Sequence, residues 1–252
     1  MNKRAPGPGA PGIAAPGIVI AGEARLDGAP LFPPLRLELE PGRWTSLLGA
    51  SGVGKTTLLR LIAGLETGAT FSGSVSAGDG AELAGRIAFM GQSDLLAPWL
   101  DLIGNVTMGA RLRGETPDRD RARAILASVG LSGLEARRPH TLSGGQRQRA
   151  SLARTLMEDR PVVLLDEPFS SLDARMRAEM QELAAERLRG RTTLLVTHDP
   201  GEAARLSDRA FLLTAAGLEE LPLPERPPVR DVEDAQTLSA QAAMYRRLRG
   251  QP

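Results

Sequence analysis

Gly49-Ala50-Ser51-Gly52-Val53-Gly54-Lys55-Thr56 stands between the apolar run Trp44-Thr45-Ser46-Leu47-Leu48 and the helical pattern Thr57-Leu58-Leu59-Arg60-Leu61-Ile62. Strand, phosphate-sized loop and helix in that order decide the fold. Glycines at 49, 52 and 54 open backbone angles closed to residues with a Cβ, so that successive N–H groups can turn inward on a phosphate chain. Lys55 adds a cation and Thr56 a hydroxyl placed to bind Mg²⁺, while the helix that continues through Thr57 offers its positive end to the same anion. The spacing Gly, four residues, Gly-Lys-Thr is that of a P-loop, and residues 49–57 are the predicted contacts of a nucleoside triphosphate. Of 31 basic residues only Lys3 and Lys55 are lysine. A chain so biased to arginine keeps lysine where a compact point charge is wanted and a guanidinium fork would not fit.

At 252 residues the chain has room for one sizeable domain. Its 31 basic and 30 acidic residues nearly cancel, so it carries no basic field for nucleic acid, and eight aromatics leave little material for stacking bases. The lack of cysteine excludes disulfides and thiolate metal sites and fits a reducing compartment. No apolar run approaches the roughly 18 to 20 residues of a membrane span. Residues 1–17 repeat Pro and Gly after Lys3 and Arg4, which predicts a disordered tail and not a targeting peptide.

Going outward from the loop, strands are predicted over Ile18–Leu26 and Leu35–Leu39, with Pro33-Pro34 breaking any continuous element between them, and over Phe71–Ala77 and Arg86–Met90. Helices are predicted over Asn105–Arg113, Asp118–Val129 and Ser143–Met157. Val162–Leu165 and Thr193–Val196 read as buried parallel strands. Between those two runs, Met176, Met180, Leu183 and Leu188 mark the core face of a helix over Ala174–Arg189. Phe211-Leu212-Leu213 reads as the last strand. Prolines at 222, 224, 227 and 228 then mark a linker to a weakly amphipathic helix near Asp234–Leu248. The fold class is α/β: a mostly parallel core sheet, an antiparallel β edge layer and a helical subdomain inserted over about 94–157.

Two further stretches carry chemistry. Val162-Val163-Leu164-Leu165-Asp166-Glu167 ends a buried strand in two carboxylates, a Walker B strand beside a P-loop. Asp166 is predicted to orient Mg²⁺ through a water and Glu167 to polarise the attacking water. Leu142-Ser143-Gly144-Gly145-Gln146-Arg147-Gln148-Arg149 opens a helix with Ser143 as N-cap. Two successive glycines are costly there unless something must approach the backbone closely, and another phosphate suits.

Leu142-Ser143-Gly144-Gly145-Gln146 makes the chain resemble the ATP-binding cassette (ABC) family of transport ATPases, whose defining sequence this is. The resemblance covers about residues 18–217. It implies an ATPase domain over 18–220, followed by the linker and helix over 221–252, with ATP and Mg²⁺ as cofactors. It implies that Gln92 is the Q-loop glutamine, a ligand of Mg²⁺ or water along with Thr56 and Asp166. Likewise Ser171-Leu172-Asp173 is the D-loop, and His198 the switch histidine that senses the γ-phosphate. Glu167, His198 and Gln92 form the catalytic set. In the family, Leu142–Gln146 of one subunit covers ATP held by the P-loop of another, so the expected partners are a second copy of the chain, membrane permease subunits and, indirectly, a periplasmic or lipid-anchored solute-binding protein. No nucleic acid is expected. The expected location is the cytoplasmic side of the inner membrane, bound peripherally.

Ser93–Leu100 with Pro98-Trp99, and Thr197–Ala203, resemble importers of the nitrate, sulfonate and thiamine-precursor group, most of all the hydroxymethylpyrimidine class. The implied function is the energy-coupling ATPase of a bacterial importer of a small solute; a separate-subunit exporter motor is the alternative, and a non-transport cassette protein a third. Two points stay open in the residues. The usual adenine-stacking aromatic is absent from Arg25-Leu26-Asp27-Gly28, leaving Phe32 or an aliphatic surface. Trp99 is either buried among the helices or the edge of a groove for a short permease helix.

Overall fold

A computed structural model describes residues 15–250, so residues 1–14 of the expected tail lie outside the described residues. The chain runs β1 (Ile18–Leu26), β2 (Ala29–Leu39), β3 (Trp44–Gly49), α1 (Lys55–Ile62), β4 (Thr70–Ala77) and β5 (Ile87–Met90). Helices α2 (Leu102–Val106), α3 (Met108–Leu112), α4 (Arg119–Ser128) and α5 (Gly144–Met157) follow. It returns with β6 (Val162–Asp166), α6 (Ala174–Arg187), β7 (Thr192–Val196), α7 (Pro200–Leu206), β8 (Arg209–Thr214), β9 (Gly217–Leu221) and α8 (Ala235–Leu248).

Two sheets organise these elements. A six-stranded sheet has the order β5-β6-β7-β3-β8-β9, parallel throughout except for the β8–β9 hairpin. A three-stranded antiparallel sheet has the order β2-β1-β4. Strand β6 shows why its sequence is a continuous apolar run. Val162 and Leu164 point to one face, joining Leu58, Leu59 and Ile62 of α1 and Ile18, Ile20 and Leu37 of the small sheet. Val163 and Leu165 point to the other, where Leu126, Leu152 and Ala184 of α4, α5 and α6 pack. Burial on both faces excludes polar residues until the strand ends at Asp166. A smaller third cluster seals α7 and α8 against β3 and β8 through Leu48, Ala203, Leu212 and Met244.

The expected α/β class, with a parallel core and an antiparallel layer, is what the chain adopts. Four local expectations change. Strand β2 continues through Pro33-Pro34, because it lies at the edge of its sheet and the prolines fall where its register with β1 shifts between Gly22↔Leu35 and Ala24↔Phe32. The helix expected over 105–113 is two shorter ones. Asp101 caps the first by accepting from Gly104 N, and Thr107, whose hydroxyl bonds back to Ile103 O, ends it. Phe211–Leu213 is not the last strand, since β9 pairs beyond it. Helix α7, capped by Asp199 and opened by Pro200, stands where no helix was expected.

Candidate active site

The parallel strands deliver their chemical residues to one edge of the six-stranded sheet. Leu47 is in register with Val196, which in turn pairs with Asp166, and Met90 pairs with Leu165. The loops that follow these strands, 49–56, 91–92, 166–167 and 197–198, therefore open side by side.

The first loop holds the shape expected of it. Gly49 and Gly54 have φ of 155° and 104°. A Cβ at Gly49 would sit 2.6 Å from Leu213 O, and one at Gly54 2.9 Å from a ring carbon of Phe32. Phe32 is thus buried beneath the loop and offers no face to a base, which corrects its candidacy as the adenine contact. Lys55 Nζ donates to Gly49 O at 2.7 Å and Ala50 O at 2.9 Å, holding the cation over the loop it belongs to. Burial lowers its pKa, opposed by Glu167 and Asp166.

Thr56 Oγ1 donates to Asp166 Oδ2 at 2.8 Å, which joins loop and strand end directly. Burial raises the Asp166 pKa, with the Thr56 hydroxyl pulling against it and Glu167 adding to it. Thr56, Gln92 and Asp166 line one cavity of about 560 Å³ with Phe89 and Ser93. This donor set is all oxygen-bearing and holds one carboxylate. Among the described residues, no cluster of three His, Cys, Asp or Glu stands ready for a metal. The set suits Mg²⁺, which keeps waters and draws its other ligands from phosphate, and suits no ion that needs a full protein cage.

Glu167 is the strained residue of the site. Its φ of 51° is left-handed, a conformation that costs a non-glycine residue about 1–3 kcal/mol and persists only where surroundings impose it. Its N–H donates to Val196 O at 2.9 Å. Its side chain meets His198, Nδ1 to Oε2 at 2.7 Å, where the carboxylate is buried and the imidazole exposed. With the carboxylate accepting, Nδ1 carries a proton, and Nε2 is left as acceptor in the neutral ring or as a second donor in the imidazolium.

The glycine-rich helix start lies elsewhere on the molecule. Ser143 Oγ accepts from Gln146 N at 3.2 Å while Gln146 Oε1 accepts from Ser143 N at 2.9 Å, a complete capping box. Leu142 is buried, Ser143 and Gly144 are exposed, and a Cβ on Gly144 would meet nothing closer than 4.0 Å. Gly145 faces Ser171 and Leu172, which brings this motif and Ser171-Leu172-Asp173 together. Among the described residues, no hydrogen bond links 142–146 to 49–57.

The ABC transporter family model matches residues 32–170, more than half of the chain. The chain belongs to the ABC transporter family. An aliphatic sulfonates import ATP-binding protein (SsuB 1) of Rhodococcus jostii is 47% identical over 212 residues, covering 79% of this chain and 80% of the relative. An ABC transporter ATP-binding protein of Haemophilus influenzae is 42% identical over 232 residues, covering 89% of this chain and 95% of its own length. Among solved structures, the dimeric post-hydrolysis state of an ATP-binding cassette bound to ADP and Pi matches with a TM-score of 0.71 at 26% identity, covering 85% of this chain and 99% of that one.

Three residues of this ABC cassette escape sequence reading. Gln148 is buried against Glu167 and Ser171. Arg177 donates to Leu172 O at 3.0 Å and lies 3.5 Å from Asp199, bridging the loops before α6 and α7. Glu202 accepts from the Thr197 hydroxyl at 2.7 Å, immediately behind His198. Gln148 and Arg177 are polar residues on helices, where amphipathic patterning assigns them to solvent, and Glu202 lies on the short α7, which no pattern announces.

Proposed function

We propose that this chain is the ATP-hydrolysing, energy-coupling subunit of an importer for a small solute. The observation that carries this reading is the Glu167–His198 pair at 2.7 Å, beside the Thr56–Asp166 bond at 2.8 Å and over a P-loop. Lys55 and the N–H groups of 49–57 bind and orient the triphosphate, and Lys55 exchanges its two carbonyl partners for phosphate oxygens. Thr56, Gln92 and Asp166 would hold Mg²⁺, which would supply charge neutralisation at the phosphates. Glu167 accepts a hydrogen bond from the attacking water, and His198 holds the Glu167 carboxylate in place while its free nitrogen faces the γ-phosphate.

The exposed Ser143 and Gly144 serve ATP on a second copy of the chain, with Leu142, Gly145 and Gln146 fixing their approach. Ser171-Leu172-Asp173 lies at the same junction. In this reading residues 18–220 form the ATPase domain, the helices over about 94–157 form a subdomain that meets the permease, and 221–252 is an appendage. Trp99 is 71% exposed and borders a groove of about 700 Å³ with Thr107, Arg111 and Arg138, which favours the groove-edge reading over the buried one. Among the described residues no helix is long and apolar enough to cross a membrane; in this reading the permease holds the chain at the cytoplasmic face.

The solute belongs to the nitrate, sulfonate or thiamine-precursor group, and the name of the sulfonate-import relative favours a sulfonate. Deleting the gene is expected to abolish uptake of an alkanesulfonate supplied as sole sulfur source. A phenotype confined to efflux of a toxic compound overturns import in favour of the exporter reading.

A further inference from the structure

We propose that Gln148 is a positioning residue that ties the glycine-rich helix α5 to the main chain of Glu167, so that hydrolysis at the chain's own P-loop depends on the seating of the helix that covers its partner's ATP. This rests on the ATPase reading above. Gln148 is 7% exposed and its amide is fully used. Nε2 donates to Glu167 O at 2.9 Å and to Ser170 Oγ at 3.3 Å, and Oε1 accepts from Ser171 N at 2.8 Å. Ser170 Oγ donates to the same Glu167 carbonyl at 3.0 Å.

Both main-chain polar groups of Glu167 are therefore pinned, the N–H by β7 and the carbonyl by α5. A left-handed glutamate has no intrinsic reason to keep that backbone, so the direction of its carboxylate toward His198 is set by those two anchors. Packing alone would be satisfied by methionine at position 148. A buried amide that spends both ends on the backbone of 167–171 specifies geometry instead. The capping box makes 143–146 a stiff start to α5, and Gln148 stands two residues beyond it, so displacement of Ser143 and Gly144 reaches Glu167 through one side chain.

The test uses the full-length chain, with ATP affinity from calorimetry and kcat and KM from phosphate release. Gln148→Met is expected to keep ATP affinity within about threefold and to lower kcat by at least about tenfold, the scale of a small misplacement of a catalytic group. Ser170→Ala, which removes the hydroxyl donor to the Glu167 carbonyl and the weaker of the two acceptors of Gln148 Nε2, is expected to lower kcat about threefold at unchanged KM. Gln148→Glu keeps the acceptor for Ser171 N and loses both donors, so it decides the matter should Gln148→Met fail to fold. Wild-type kcat in Gln148→Met or Gln148→Glu overturns the proposal, as do equal losses of affinity and kcat that track a fall in melting temperature. Failure of the underlying reading looks different: the unmutated chain would release no phosphate, and Glu167→Gln would change nothing.

Discussion

Replacing Glu167 with Gln keeps the size of the side chain beside His198 and removes the charge proposed to polarise water. ATP binding is expected to persist while phosphate release falls at least about a hundredfold, the cost of losing general-base assistance, and gel filtration should find an ATP-trapped dimer. Lys55→Ala removes the loop's cation and is expected to lose most ATP affinity by calorimetry, since no other charged donor of the loop is left to meet the phosphates. Glu202 gives the residue scale a pH signature. Burial pushes its carboxyl from the ordinary 4.5 up to about 7, with the Thr197 hydroxyl opposing and Asp199 and Glu167 adding to the rise. The folded chain therefore holds a proton that the unfolded chain has released between these two values, so stability falls as pH rises through that window and levels off above it. Glu202→Gln mimics the protonated form. Its gain in melting temperature over the unmutated chain is expected to grow from pH 5 to pH 8. The chemical residues at 49–57, 92, 142–146, 166–167 and 198 were legible because each stands in a pattern that ordinary packing does not need. The bond from Gln148 to Glu167 was not, nor were those of Arg177 to Leu172 and of Thr197 to Glu202 beside the site, since a polar side chain on a helix looks the same in sequence whether it meets water or a carbonyl.

Among the elements, the segment between β9 and α8 is tied down chiefly by Arg230, with Arg205 donating to its carbonyl. Arg230 is buried and donates to Ala204 O and Ser207 O at 2.8 Å, to Arg226 O at 2.6 Å and to Pro224 O at 3.0 Å, closing the last turn of α7. Arg230→Ala leaves those carbonyls without their donor. It is expected to lower the melting temperature by about 5–10 °C, the scale of two or three kcal/mol in a domain of this size, with faster proteolysis after Leu221. Long apolar runs and glycine punctuation made β1, β3, β5, β6 and β7 readable in advance. Short elements escaped for physical reasons: α7 has too few residues to display a period, and β9 carries Glu219 and Glu220 because it pairs at an edge. The break at Thr107 depends on a hydroxyl reaching back to Ile103 O, which no local propensity announces.

For the whole molecule, the proposed second copy is tested at 142–146, which no hydrogen bond joins to 49–57 among the described residues. Gly144→Asp has room in the chain itself, yet it sets a carboxylate where the partner's phosphate would approach. ATP affinity and melting temperature are expected to stay near those of the unmutated chain, while ATP-dependent dimerisation in a Glu167→Gln background disappears from gel filtration. A dimer that persists would remove the glycines from the interface.

The proposed pairing of copies gives the prolines of β2 a second meaning. An edge strand exposes a row of backbone donors and acceptors on which any other extended chain can build, the first step towards aggregates. Two consecutive prolines present positions on both sides of the strand, so one missing N–H lies on the open side, and the register shift there bends the ladder further. Pro33 and Pro34 guard against sheet growth between copies along β2, which would leave the proposed pairing to the face that carries 142–146.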